Sequence, residues 1–333
     1  MSNYLHNLGQ LFIIGFRGAE PPDAFLDFLG EEKIGGVLLL EEACASHEAA
    51  RQNIERINRA YRDSARPFIA IDQEGGRVCR LKGAPAEYRA ATEYKKELGL
   101  DRFAEDYNRS ALYMEKLGIN LNFAPVADLY LEKESSVLAD RCFGEEPEGA
   151  IPFIRKSIEI SRSCGILSCL KHFPGLGAAP FDPHEKTAIA PVDEVVWRQR
   201  EQLTFEAGIG HGADMIMTTH MRVNAFGGDI VTANRALISG WLRHMLAFDG
   251  PVVTDCLLME GAAPLGHVGE RAVEAFRAGH DILLFGNDHE KAIGAYDYFV
   301  SAVKEGEIEE AQIESSMERV SGLKFKLDSS VVR

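Results

Sequence analysis

No stretch of this sequence is apolar for long enough to cross a membrane. The run from Leu11 to Phe16 has the length of a buried strand, whereas a spanning helix needs about 20 residues. The opening Met-Ser-Asn-Tyr-Leu-His-Asn lacks the basic n-region of a secretory leader. Cysteine is sparse and unpatterned: six residues (Cys44, Cys79, Cys142, Cys164, Cys169, Cys256) form no C-x-x-C pair, which excludes a zinc knuckle or a disulfide framework and points to a reducing compartment. Positive charge is in short supply, with 36 Lys and Arg against 51 Asp and Glu. A formal net charge of -15 repels nucleic acid and anionic membranes at long range, so neither is expected as a partner and a small neutral or cationic ligand fits better. Missing too are the dinucleotide fingerprint, the Lys-Ser/Thr of a P-loop and any H-x-x-x-H pair, so no cofactor and no metal are expected. The protein is expected to be soluble, cytoplasmic and monomeric.

What is present is a rhythm. Short apolar runs recur at Leu11–Phe16, Ile34–Leu40, Phe68–Asp72, Ile119–Val126, Ile166–Leu170, Met215–Thr219, Val252–Thr254 and Ile282–Phe285. Between them lie stretches with apolar residues at three- and four-residue spacing, such as Ala49–Tyr61, Phe103–Leu117, Ile151–Ser163 and Val195–Ile209. Eight buried strands alternating with helices predict an α/β fold, a (β/α)8 TIM-type barrel, with a doubly wound sheet as the alternative. No linker or low-complexity run interrupts the pattern, so 1–333 is read as one domain. The segment Asp288–Leu327 carries two further amphipathic helices, expected to pack over the outside.

In a barrel, strand ends and the loops after them share one face, where chemistry sits. The third run ends in Asp72, Glu74 and Arg80; the fourth reaches Asp128, with Arg141 in the loop beyond. The fifth delivers Lys171 and His172, then a Pro/Gly turn, then Asp182 and His184. The sixth ends at His220 and the seventh at Asp255. Charges at buried strand ends are expensive unless paired or used. Asp182 can accept a proton from one nitrogen of His184 and leave the other to serve a substrate. A lone carboxylate on strand seven beside such a pair has the layout of a glycosidase, one group to attack the anomeric carbon and one to protonate the leaving oxygen. His172, Asp182, His184 and His220 are also possible metal ligands, but their spacing does not support a metal site. Glu74 is assigned a structural part, His220 a supporting hydrogen bond, and Cys256 an inert buried thiol.

Several motifs carry a resemblance: D-Q-E-G-G-R-V-x-R at 72–80, N-F-A-P-V-A-D at 122–128, D-R-C-F-G at 140–144, K-H-F-P-G at 171–175, D-P-H at 182–184 and T-D-C-L-L-M-E-G at 254–261. Together and in this order they resemble glycoside hydrolase family 3, and within it the single-domain NagZ-type β-N-acetylglucosaminidases (β-hexosaminidases). The resemblance implies a retaining mechanism that removes terminal β-linked N-acetylglucosamine from peptidoglycan fragments, a small carbohydrate or muropeptide substrate, during cell-wall recycling. It makes Asp255 the nucleophile, His184 the acid/base and Asp182 its partner, with Asp72, Arg80, Arg141, Lys171 and His172 holding sugar hydroxyls. The chain departs from the family pattern at Leu176, Pro183 and Ala188, where a His, a Ser and a Pro are usual. A phosphorylase of the same family and a sugar-binding protein with impaired turnover are the alternatives.

Overall fold

A run that is apolar on both faces is satisfied only when both faces are covered, and each of the eight runs forms a strand buried along its length. In the computed structural model, which describes residues 3–61, 65–132, 137–179 and 187–330, these are β1 (Phe12–Gly15), β2 (Gly36–Leu39), β3 (Phe68–Ile71), β4 (Leu121–Asn122), β5 (Leu167–Phe173), β6 (Met215–Thr218), β7 (Val252–Val253) and β8 (Leu283–Phe285). They pair in parallel in the order of the chain, with β8 alongside β1. The two remaining edges meet at a Val253–Ile282 bridge, where the Asp281 and Ile282 N–H groups donate to the Val252 carbonyl at 2.8 and 3.1 Å. The sheet thereby closes into the predicted (β/α)8 barrel, which leaves no edge to protect.

A main helix follows each strand: α1 (Asp23–Glu31), α2 (His47–Ala60), α3 (Gly99–Leu117), α4 (Pro147–Ser163), α5 (Glu201–Gly210), α6 (Ala236–Met245, wound as a π-helix), α7 (Val268–Ala278) and α8 (His289–Lys304). Their starts follow the local chemistry. The Ser46 hydroxyl accepts the Ala49 N–H at 3.1 Å to cap α2, and Pro147 opens α4, where its missing N–H has no helical partner to lose. The Val195–Ile209 stretch is two helices rather than one. A short helix, Glu194–Gln199, ends at Arg200, whose φ of -134° and ψ of -82° leave the helical region before α5 begins.

The tail differs from expectation in where it packs. Its first helix is α8, the barrel's own eighth. Its second, α9 (Glu310–Ser330), lies across the N-terminal end of the barrel. Arg319 donates to the buried Asp281 at 2.9 Å and Lys326 pairs with Asp214. The Lys324 ammonium reaches Gln10 Oε1 at 2.6 Å and the Gly35 carbonyl at 2.9 Å, over the Phe68 ring. Burial pulls the Lys324 pKa down to about 7. The functional rim is at the opposite end. Among the described residues, no helix is long and apolar enough to cross a membrane.

Candidate active site

Extended backbone sends alternate side chains to opposite sides, and the D-Q-E segment after β3 uses that period. Gln73 turns inward, where its amide bonds the Leu81 and Ala86 carbonyls at 3.1 Å. Its neighbours Asp72 and Glu74 reach the same cation: Lys171 Nζ lies 2.7 Å from Asp72 Oδ1 and 2.5 Å from Glu74 Oε1. Glu74 also takes both arms of the Arg141 guanidinium, at 2.7 and 2.9 Å. Lys171 and Glu74 are almost fully enclosed, with side chains 2% and 3% exposed, so their charges survive only as a unit. Burial by itself would raise the Glu74 pKa; the Arg141 and Lys171 charges outweigh it and hold the carboxyl far below the usual carboxylate range. Burial likewise opposes the charge on Lys171, and Asp72 and Glu74 overcome it, raising the pKa.

β5 is longer than the sequence suggests because Lys171 and His172 are strand residues with buried partners. The His172 ring donates from Nδ1 to Asp128 Oδ2 at 2.6 Å, and its Nε2 lies 3.5 Å from Arg141 Nη2. The turn that follows needs glycine twice. Gly175 has a φ of 123°, and a Cβ on Gly177 would lie 1.8 Å from the Leu129 carbonyl oxygen. The Trp197 indole donates to the Pro174 carbonyl at 2.7 Å and holds the turn from behind. Leu176 is buried in the core and donates its N–H to Asp128 Oδ1 at 2.7 Å. Asp182, Pro183 and His184 lie outside the described residues. On the far side, the Thr187 hydroxyl donates to the Gly261 carbonyl at 2.9 Å, and the buried Ala188 accepts the Arg222 N–H at 2.9 Å.

Asp255 stands just beyond β7. Its N–H donates to the Thr218 carbonyl at 3.1 Å, and its Oδ1 accepts the Cys256 N–H at 2.7 Å, which fixes the carboxylate on the rim. Behind it, the Cys256 carbonyl and the Thr232 hydroxyl bracket the two nitrogens of His220 at 3.0 and 2.6 Å. Burial lowers the His220 pKa, which keeps this imidazole neutral, and burial pushes the Cys256 thiol up to about 11, away from thiolate chemistry.

The structure brings Asp72, Arg80, Arg141, Lys171, His172 and Asp255 to one cleft of ≈590 Å³. Arg80 Nη2 lies 3.7 Å from Asp72 Oδ2, and its buried Nε has no hydrogen-bond partner among the described residues, a donor suited to an incoming hydroxyl. Glu74 lines the cleft as well, and its period-2 relation to Asp72 is the signal in the sequence that marks it. His220 sits beneath the cleft rather than in it. Among the described residues, no three His, Cys, Asp or Glu side chains gather as metal ligands would. The cleft joins the carboxylate just beyond β7 to a block of fixed donors and acceptors that match a polyhydroxylated ring.

Residues 6–323 match the glycosyl hydrolase family 3 N terminal domain. A beta-hexosaminidase of Stenotrophomonas maltophilia is 31% identical over 287 residues, 82% of each chain. An uncharacterized secreted glycosyl hydrolase of Arthroderma benhamiae is 28% identical over 336 residues, 96% of this chain and 93% of the relative. A beta-N-acetylhexosaminidase structure from Beutenbergia cavernae matches with a TM-score of 0.89 at 27% identity, over 97% of this chain and 98% of that one. A glycoside hydrolase family 3 beta-N-acetylglucosaminidase from Paenibacillus gives a TM-score of 0.91 at 28% identity over 98% of this chain, which spans 63% of that enzyme's length.

Proposed function

The chain belongs to glycosyl hydrolase family 3, and from that premise we propose that it is a retaining β-N-acetylglucosaminidase acting on terminal non-reducing β-linked N-acetylglucosamine. One observation supports this above the rest: Asp255, pinned by the Cys256 amide, opens on the same cleft as the Asp72, Arg80, Arg141, Lys171 and His172 side chains. Those five residues hold the sugar, and the relatives named for beta-hexosaminidase activity set the choice of N-acetylglucosamine.

In this reading the Asp255 carboxylate attacks the anomeric carbon as the bond to the aglycone oxygen breaks, and His184, oriented by Asp182, gives that oxygen its proton. The product of the step is a glycosyl ester on Asp255. His184 then takes a proton from water, the resulting hydroxide displaces Asp255, and the sugar leaves with its original β configuration. The segment with Asp182 and His184 is bracketed by Ala179, whose N–H donates to the Leu176 carbonyl, and by Thr187, whose hydroxyl donates to the Gly261 carbonyl on the loop after β7, so its far end stands beside the nucleophile's own loop. We propose the cytoplasm as the compartment, supported by six cysteines that are all unpaired, and peptidoglycan fragments as the source of the sugar, which is what the sequence resemblance implies. The secreted Arthroderma relative keeps the compartment open to test.

The test is a mechanism-based 5-fluoro-N-acetylglucosaminyl fluoride, which forms the ester and releases it slowly. Mass spectrometry of the digested protein should place the sugar on the peptide containing Asp255. A label on any other carboxylate, or turnover of 4-nitrophenyl N-acetyl-β-glucosaminide that yields the α-anomer first, overturns the reading. Running the same assay with phosphate separates hydrolysis from phosphorolysis by whether the product is the free sugar or its 1-phosphate.

A further inference from the structure

Beside the cleft lies a carboxylate with no sugar-holding role in the reading above. Asp128, at the end of the N-F-A-P-V-A-D segment, has a fully enclosed side chain, 0% exposed. Its Oδ2 accepts the His172 ring nitrogen Nδ1 at 2.6 Å and the His172 backbone N–H at 3.1 Å, while its Oδ1 accepts the Leu176 N–H at 2.7 Å. The neighbouring Ala127 N–H donates to the Lys171 carbonyl at 2.7 Å, which locks the two segments in register. The three bonds to Asp128 all come from residues 172–176, the turn that leads from β5 toward Asp182 and His184.

This arrangement decides what His172 offers a ligand. A carboxylate accepts only, so the proton sits on Nδ1 and Nε2 keeps its lone pair. Nε2 is the nitrogen beside Arg141 Nη2, at 3.5 Å. An Nε2–H would set donor against donor there, while the lone pair gives the cleft a hydroxyl acceptor next to a guanidinium donor. The same carboxylate fixes the Leu176 N–H, so the sugar seat and the first turn of the acid/base segment hang from one buried group.

We propose that Asp128 is a positioning residue that does two things at once: it sets His172 as the acceptor for a sugar hydroxyl, and it registers the turn that carries the acid/base pair against the bound ring. The proposal rests on the glycosidase reading above. Asparagine cannot replace it, because a neutral amide has one acceptor oxygen and would turn an NH2 toward one of three N–H groups.

Two readouts test it. In ligand-free wild-type enzyme, long-range ¹⁵N–¹H correlation should show His172 protonated at Nδ1, with the signal assigned by its loss in His172→Gln. This needs no turnover, so it separates the hub from the proposed activity: an inactive wild-type protein would sink the activity and leave the tautomer to be judged by itself. The second readout is the ratio of kcat on 4-nitrophenyl to kcat on 4-methylphenyl N-acetyl-β-glucosaminide, which rises when proton donation is impaired. Asp128→Asn should raise KM at least tenfold on both substrates and raise the ratio at least tenfold. His172→Gln, which keeps the Leu176 anchor, should raise KM and leave the ratio as in wild type. A His172 protonated at Nε2, an unchanged ratio in Asp128→Asn, or an equal shift of the ratio in His172→Gln overturns the proposal. If Asp128→Asn does not fold, the tautomer and the His172→Gln ratio decide.

Discussion

Replacing Glu74 by glutamine removes a charge that Arg141 and Lys171 share. Glutamine has nearly the same volume and keeps one acceptor oxygen, so the change reads as electrostatic. Breaking a buried ion pair from one side destabilises by roughly 3–5 kcal/mol. Lys171 retains Asp72 at 2.7 Å, which argues for the lower end of that range. At roughly 2 °C for each kcal/mol in a chain this long, the melting temperature should fall by about 6 °C at pH 7. The pH dependence has a definite sign. Glu74 is depressed in the folded state from an ordinary value of 4.5, so its contribution is complete above 4.5 and is lost as the pH falls from there toward the folded pKa. The gap between wild type and variant should be flat from about pH 5 to 8 and narrow under more acid conditions. Scanning calorimetry over that series is the assay. A drop of less than about 2 °C at pH 7, or a gap that widens on acidification, would refute the view of Glu74 as the charge that holds two cleft cations in place.

Three further outcomes can be measured. His184→Ala should lose on the order of 10² to 10⁴-fold on a poor leaving group yet still give a burst of nitrophenolate from an activated glycoside, whereas Asp255→Ala should give neither burst nor turnover; a burst from Asp255→Ala would reverse the two roles. Trp197→Phe keeps the ring but deletes the donor to the Pro174 carbonyl, so stability should fall by about 1 kcal/mol in chemical denaturation, and no loss would mean the indole does not hold the turn. Lys324 titrates near 7 in the fold and near 10.5 in the unfolded chain, so its burial weighs fully against the fold below pH 7 and is relieved as the pH rises toward 10.5. The stability of Lys324→Met relative to wild type should therefore decline between pH 7 and 10, and a constant difference would mean the ammonium is not strained by burial.

The strands were legible because burial on both faces writes itself as unbroken apolar runs such as Phe12-Ile13-Ile14. Their ends were less so. Pro125 has no N–H, so the long run from Ile119 to Val126 keeps only Leu121–Asn122 as strand, with Val126 bridging Lys171 beyond it. β5 runs on through Lys171 and His172 because their partners, Asp72 and Asp128, arrive from 99 and 44 residues away. No local pattern announces that. The same holds for Glu74, whose acceptors' partners sit on β5 and in the loop after β4. Motif order brought the six cleft residues forward, yet it was silent on which of them are already tied to one another.

The seating of α9 under the barrel bears on how the chain is made. Lys324 bonds Gln10 and Gly35 across 314 and 289 residues. A ribosome adding about 5–20 residues per second takes on the order of 15–60 s to travel that distance. For most of that interval the first strands are outside the exit tunnel while the floor they rest on has not been synthesised. Until then the end of the barrel around Gly35 and Phe68 lacks the Lys324 contacts that close it in the finished fold.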